Sequence, residues 1–290
     1  MFKNYFKTAF RNLWRNKVYS FLNIFGLAIG IACAGLIFLW VQNEVTYNDY
    51  FPNKATLYKV KDSQTYSGKT YTFDATPGPL GPSMKNDIPG IVKTSRYTGD
   101  QLLFSVGNKD IYEGGSYVDS SFISMFDLHF IKGNPARAFD QLYSLVISEK
   151  TAKKFFNTTD VIGRRIKINN AQDYVITGVF KDLPENVSVK FDWLAPFQVY
   201  KNENAWLQYW GNNGITTFVE VSPNANIPAI NKQLYNYISL KSGDNSGGVA
   251  KMSIYPMGRW RLYDAFKDGK EVQGRIKFVR LFSLIAWIIL

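Results

Sequence analysis

Few residues of this chain are of types that commonly do chemistry. Its 290 residues include one histidine, His129, and one cysteine, Cys33. In the stretch FDLHF, His129 alternates with apolar residues, so we expect Asp127 and His129 to share the polar face of a strand as a solvated pair and not as a catalytic relay. One histidine and one cysteine within an apolar run cannot build a zinc site.

Sequence motifs for nucleotide or acyl-transfer chemistry are also missing. The chain contains no GxxxxGK[ST] motif for phosphate binding and no S-x-x-K motif. Its 23 acidic residues offer carboxylate pairs of the glycosidase kind, but none of them lies in a distinctive motif. We therefore predict a chain that is not an enzyme by itself and that binds no cofactor and no metal.

The clearest structural signal in the sequence is an uncharged, apolar stretch long enough to span a membrane. Residues 18–43 carry no charge, and Tyr19 to Trp40 would cover about 32 Å as a helix. This length is close to the hydrocarbon thickness of a bilayer, and aromatic residues at both ends suit its interfaces. The sequence predicts a transmembrane helix over residues 18–43.

A second apolar run begins at Leu281 and continues to Leu290. Ten residues make about 15 Å of helix, which is too short to cross a bilayer. We interpret residues 276–290 as the start of a second, truncated transmembrane helix. The chain is then expected to be the N-terminal fragment of a longer protein.

The location of the basic residues indicates the topology. The net charge of the chain is +11. Residues 1–43 contain five basic and no acidic residues, and residues 44–275 contain 27 basic and 23 acidic residues. The long middle segment thus lacks the basic stripe that nucleic-acid binding needs. Positive flanks stay in the cytoplasm, which predicts residues 1–17 inside and 44–275 outside. Seven basic residues between Arg259 and Arg280 argue mildly against this orientation.

Residues 1–17 are predicted to form an amphipathic helix on the cytoplasmic membrane surface. Apolar residues recur every three to four positions on one face, and cations step along another. This pattern is typical of an interfacial helix that contacts membrane lipids. The residues assigned to it are Lys3, Lys7, Arg11, Trp14, Arg15 and Lys17.

Small residues form a ladder within the predicted span. Gly26, Gly30 and Ala34 recur every four residues and so lie on one helix face. Small residues let a neighbouring helix approach closely in lipid. We predict that this face packs on another membrane helix.

The middle segment mixes strands and helices. Ser144–Ser148 is predicted to be a buried strand followed by a helix over 149–156 with Ser148 as its N-cap. Residues 164–168 and 173–179 alternate around Asn169-Asn170, which predicts a hairpin. Residues 216–221 are predicted to be another strand. Strands followed by helices indicate an α+β fold.

A further helix is predicted to begin after Asn226, with Pro228 in its first turn. Its expected apolar face consists of Ile227, Ile230, Leu234 and Ile238.

Several longer motifs span nearly the whole chain. They are MFKNYFKTAFRNLWRNKVYSFLNIFGLAIGIAC, NEVTYNDYFPNKATLYKV, YVDSSFISMFDLHFIKGNPARAF, SLVISEKTAKKFF, IGRRIKI, YVITGVFKDLPENVSVKFD and GRIKFVRLFSLIAWIIL. In type and order, these motifs resemble those of one protein family, the MacB- and FtsX-type ABC transporter permeases.

This resemblance implies a permease of the bacterial inner membrane with an α+β periplasmic core domain over residues 44–275. That domain would have two subdomains, one inserted at roughly 101–214. The resemblance also implies a separate cytoplasmic ABC ATPase as partner and a homodimer or heterodimer of permeases. It places the ATPase-contacting segment after Leu290, so residues 1–290 alone are expected not to couple to that ATPase. A two-span receptor or sensor ectodomain and a membrane-anchored extracytoplasmic enzyme stay open as alternatives.

Overall fold

The structure is a computed structural model that describes residues 2–243 and 250–290. The chain divides into two compact units. The first, called the helical unit here, contains Met1–Thr46 and Gln273–Leu290, and the second, called the sheet domain, contains Tyr47–Val272. The domain boundaries expected from the sequence, including the inserted subdomain at roughly 101–214, stay predictions.

The described residues form α-helices in both units. They are α1 (Phe2–Arg15), α2 (Lys17–Val45), α3 (Leu80–Asp87), α4 (Ser121–Met125), α5 (Glu149–Phe156), α6 (Phe197–Glu203), α7 (Ile227–Leu234), α8 (Tyr237–Ser242) and α9 (Ile276–Ile289). Short 3-10 helices cover Pro52–Ala55, Pro135–Arg137, Ala205–Gln208 and Met257–Arg259.

The strands all belong to the sheet domain. They are β1 (Leu57–Tyr66), β2 (Lys69–Phe73), β3 (Thr76–Pro77), β4 (Ile91–Val106), β5 (Lys109–Val118), β6 (Phe130–Gly133), β7 (Ser144–Ser148), β8 (Arg165–Ile168), β9 (Gln172–Phe180), β10 (Trp193–Pro196), β11 (Asn213–Val221), β12 (Ala250–Pro256), β13 (Phe266–Lys267) and β14 (Lys270–Glu271).

One mixed sheet organises this domain. Its strand order is β12-β1-β11-β4-β5-β10-β7-β9-β6, with β2 beside β1, β3 beside β11, and β8 beside β4 and β9. The β5–β10 and β7–β9 pairs are parallel, and the other pairs in this sheet are antiparallel. Strands β13 and β14 form a separate short hairpin. The combination of helices with a sheet confirms the α+β fold predicted from the sequence, and the mixture of parallel and antiparallel pairs is an observation of the structure.

Helix α2 is the apolar helix predicted from the sequence. It begins at Lys17 and ends at Val45, and among the described residues it alone is long and apolar enough to cross a membrane. Its most apolar window has a mean hydropathy of 2.5 and is only 6% buried. An apolar helix that leaves its surface uncovered needs an apolar solvent, which is what a bilayer provides.

The strand and helix predicted around Ser148 are confirmed. Strand β7 is buried throughout, and α5 begins directly after it with the Ser148 hydroxyl accepting a hydrogen bond from the Thr151 N–H at 3.2 Å. The β8–β9 hairpin is also confirmed, because Ile168 pairs with Gln172 and the two turn asparagines, Asn169 and Asn170, have positive φ angles.

Two local predictions need correction. Asp127 and His129 do not lie on a strand, because the chain turns at Asp127, where φ is +46°, and β6 begins only at Phe130. Both side chains are exposed.

The helix after Asn226 is also shorter than predicted: α7 ends at Leu234, and Ile238 belongs to α8. Leu234 and Ile238 are nevertheless both buried in the same core cluster.

Three apolar clusters fill the sheet domain. One consists of residues between Leu102 and Ile215, and it surrounds the fully buried Trp193. A second lies around Val60 and Met84 and includes residues of α7, α8 and β12. The third is rich in aromatic rings stacked around Phe122 and Phe126. With this much core of its own, the sheet domain is expected to fold as an independent unit.

Candidate functional site

The three small residues of the predicted packing face, Gly26, Gly30 and Ala34, have different surroundings in the helical unit. A Cβ at Gly30 would be 3.4 Å from Ile289 of α9, and Ala34 is 2% exposed. A Cβ at Gly26 would meet nothing within 4 Å. Helix α9 therefore covers the ladder at Gly30. Whether the whole face serves to assemble membrane helices stays a prediction.

The predicted interfacial residues lie on α1 and at the start of α2. Lys7, Arg11, Trp14, Arg15 and Lys17 are exposed, and the Lys17 ammonium lies 5.0 Å from the centroid of the Trp14 ring. The backbone of Lys3 is helical, and its side chain lies outside the described part of the structure. This exposure suits a helix with cations beside aromatic rings, and its contact with lipid stays a prediction.

An ion pair with a buried carboxylate joins the end of α2 to the start of α9. The Arg275 guanidinium donates two hydrogen bonds to the Glu44 carboxylate, from Nε to Oε2 at 2.9 Å and from Nη2 to Oε1 at 3.0 Å. The Glu44 side chain is 1% exposed and that of Arg275 is 45% exposed. Such a two-bonded pair fixes orientation as well as distance. It holds together the two points at which the chain leaves and re-enters the helical unit.

A second charged cluster lies within the sheet domain. The Lys59 ammonium is 2.8 Å from the Asp74 carboxylate and 2.5 Å from that of Asp264. Lys61 contacts the same two carboxylates at 2.6 and 2.5 Å. The lysine side chains are 10% and 6% exposed and are largely hidden from water, whereas the Asp74 side chain is 42% exposed. It ties β1 to the segment that follows β12.

The charges of this cluster stabilise one another. Burial lowers the pKa of Lys59, but the two carboxylates outweigh it, and the net shift is upward. Burial likewise raises the pKa of Asp74, but Lys59 and Lys61 outweigh it, and the net shift is downward. Both lysines also face aromatic rings, Lys59 at 5.5 Å from Trp260 and Lys61 at 5.1 Å from Phe266. Lys59 and Asp74 are therefore ionised at neutral pH, and the salt bridges of the cluster hold its elements together.

The sequence interpretation missed both charged clusters. A signal for the first was present, because Glu44 is the first charge after one apolar run and Arg275 lies shortly before the other. The sequence signal for the cluster around Lys59 and Lys61 was weaker. These lysines alternate with the apolar Val60 within β1, and such alternation indicates only a strand with one solvated face. Neither His129 nor Cys33 takes part in these clusters.

Comparison with known proteins identifies the family. The model of the MacB-like periplasmic core domain family matches residues 20–237. A domain of a proposed permease protein from Porphyromonas gingivalis has a similar structure, with a TM-score of 0.60 and 24% identity over 71% of this chain and 92% of that one.

Two further structures are similar. The periplasmic region of MacB from Actinobacillus actinomycetemcomitans gives a TM-score of 0.52 at 13% identity, over 72% of this chain and 91% of that one. The extracellular domain of the noncanonical ABC-type transporter YknZ from Gram-positive bacteria gives 0.50 at 12% identity, over 69% of this chain and 99% of that one. A search of curated proteins found no match.

At these identities the structures support the fold, and the family model supports the relationship. Together they confirm the resemblance to MacB- and FtsX-type permeases and the mixed α/β fold of the domain. Since the family match covers most of its length, the chain belongs to the family of the MacB-like periplasmic core domain.

Proposed function

We propose that this chain is a subunit of an ABC transporter permease that carries ATPase-driven motion to a periplasmic domain. Its family membership and its apolar helix α2 support this role. Domains of this family occur in ABC transporter permeases, and two of the similar structures come from a permease protein and an ABC-type transporter. The family also favours a permease over a receptor ectodomain or an anchored enzyme. The substrate class is not part of this proposal.

The observation that carries the proposal is the Glu44–Arg275 pair. A subunit that transmits motion needs a stiff connection between its membrane helices. The two charge-assisted hydrogen bonds join the end of α2 to the start of α9, in addition to the packing of Ile289 on Gly30. Within the sheet domain, Lys59 and Lys61 on β1 form salt bridges with Asp264. The chain segment that follows α2 is therefore also joined to the segment that precedes α9. These contacts support a stiff connection between the two segments.

The proposal includes an orientation in the bacterial inner membrane. Residues 1–17 would be cytoplasmic and the sheet domain periplasmic, because cations before a span stay inside. A reporter that is active only in the periplasm should work when fused at residue 200 and fail at residue 10. Activity at residue 10 together with silence at residue 200 would contradict the orientation, and with it the proposed function.

The proposed partners are a cytoplasmic ABC ATPase, membrane lipids and a second permease subunit. The chain contains no P-loop, so hydrolysis is assigned to another polypeptide. A permease that contains residues 1–290 should co-purify with its ATPase from detergent and raise its rate of ATP turnover. A permease that purifies alone and leaves ATP turnover unchanged would contradict the partnership.

A further inference from the structure

One buried carboxyl group in the sheet domain has no countercharge. Asp62 on β1 is 0% exposed, and among the described residues it takes part in no ion pair. Its Oδ2 accepts hydrogen bonds from Gln64 Nε2 and from Asn213 Nδ2, the latter at 3.0 Å. Within the described part of the chain, no donor reaches its Oδ1 or the buried Oδ1 of Asn213. Unsatisfied buried acceptors are costly, and two on one hydrogen-bonded pair need a reason.

An open recess lies beside this pair and is lined by Asn213 but not by Asp62. It has a volume of about 690 Å³ and is lined by Gln64, Phe73, Ala75, Trp206 and residues 211–214. Gln64 and Asn213 are therefore both wall residues of the recess and hydrogen-bond donors to Asp62. The carboxyl group is thus linked to the recess through the side chains of Gln64 and Asn213.

Aromatic rings flank the same place. Phe73 on β2 is paired with Asp62 across the β1–β2 ladder, so the two side chains lie on one face, and Phe73 is 42% exposed. Trp206 lies against Gly214, where an added Cβ would be 2.5 Å from the indole ring. Only a glycine lets this ring form the recess wall.

We propose that this recess binds an organic cation through a primary ammonium or guanidinium group. The group would donate hydrogen bonds to Asp62 Oδ1 and Asn213 Oδ1, the two acceptors without partners. Phe73 and Trp206 would contact it through their ring faces. Entry requires the Gln64 carboxamide to turn aside, which is a side-chain rotation and leaves the backbone unchanged. This site is independent of the coupling role proposed above.

The test measures binding of n-butylguanidinium to the full chain in detergent by titration calorimetry. The neutral isostere n-butylurea is the matched ligand control, and it should bind at least about tenfold more weakly because it brings no charge to Asp62. Asp62→Asn should weaken n-butylguanidinium binding about tenfold or more. Asp173→Asn, which removes an exposed carboxylate elsewhere, should leave it unchanged.

A second variant acts on the surface of the site and should not disturb folding. Phe73→Leu keeps an apolar side chain but removes the ring, and should weaken binding about threefold to tenfold. Equal affinity for the two ligands, unchanged affinity in Asp62→Asn, or no binding at about 10 mM ligand would overturn the proposal. Binding of Ca²⁺ in place of the guanidinium would also overturn it, since it would make Asp62 a metal ligand.

Discussion

Replacing Asp62 with asparagine should stabilise the sheet domain at neutral pH. Burial raises the pKa of the Asp62 carboxyl from 3.8 to about 6, although the hydrogen bond from Gln64 opposes the shift. The folded state therefore holds its proton more tightly than the unfolded chain does. The stability that this group contributes is fully present below about pH 4 and is lost as the pH rises through about 6.

The magnitude follows from the size of the shift. About two pKa units correspond to about 3 kcal/mol, which the ionised carboxyl costs the folded state above about pH 7. Asparagine cannot ionise, so Asp62→Asn should raise the free energy of unfolding there by up to about 3 kcal/mol. For a domain of this size, that is about 6 to 12 °C in Tm. Near pH 4 the variant and the parent should be about equally stable.

The assay is urea unfolding of residues 47–272 between about pH 4 and pH 8, in buffers without amines or divalent ions. Asp173→Asn is the control, because it removes an exposed carboxylate of the same type. Its stability difference from the parent should not change with pH. If Asp62→Asn destabilises the domain by the same amount at all pH values, the pKa of the Asp62 carboxyl is not raised in the folded state, and the reasoning is refuted.

Three further predictions concern folding and packing. Residues 47–272 should unfold cooperatively, and a reductant should not change the transition because Cys33, the only cysteine, lies outside the domain; an aggregating product would contradict this. Gly30→Leu should weaken the packing of α2 on α9 by about 1 to 2 kcal/mol, measured as cross-linking between the helices, whereas Gly26→Leu should not. Asp264→Asn should lower the free energy of unfolding by about 2 to 4 kcal/mol, because two buried lysines each lose a carboxylate; an unchanged denaturation midpoint would show that Asp74 alone is sufficient.

Local features of the fold could be predicted where a few neighbouring residues determine the backbone. The Ser148 hydroxyl caps α5 through a residue three positions away, and the Asn169-Asn170 turn closes its own hairpin. The apolar helix α2 needed only composition and length. The break between α7 and α8 was not predicted. The apolar spacing from Ile230 through Leu234 to Ile238 continues across the break, because residues of both helices are buried in the same core cluster.

The charged clusters were not predicted because they depend on residues far apart in sequence. Glu44 and Arg275 are separated by 231 positions, and Lys59 and Asp264 by 205. Asp62 had no local signal either, since one of its two paired residues in the sheet, Met252 on β12, lies far away in the sequence. Sequence periodicity reports which face a residue occupies, and it does not report which distant side chain meets it.

The most direct test of the proposed coupling role is ATP turnover in nanodiscs that contain the permease and its ATPase. Glu44→Arg and Arg275→Glu should each reduce the stimulation of turnover by the permease, because like charges then separate the ends of α2 and α9. The double variant restores the pair in the opposite order and should recover most of the stimulation. Full stimulation in both single variants would contradict the claim that this ion pair transmits motion between the helices.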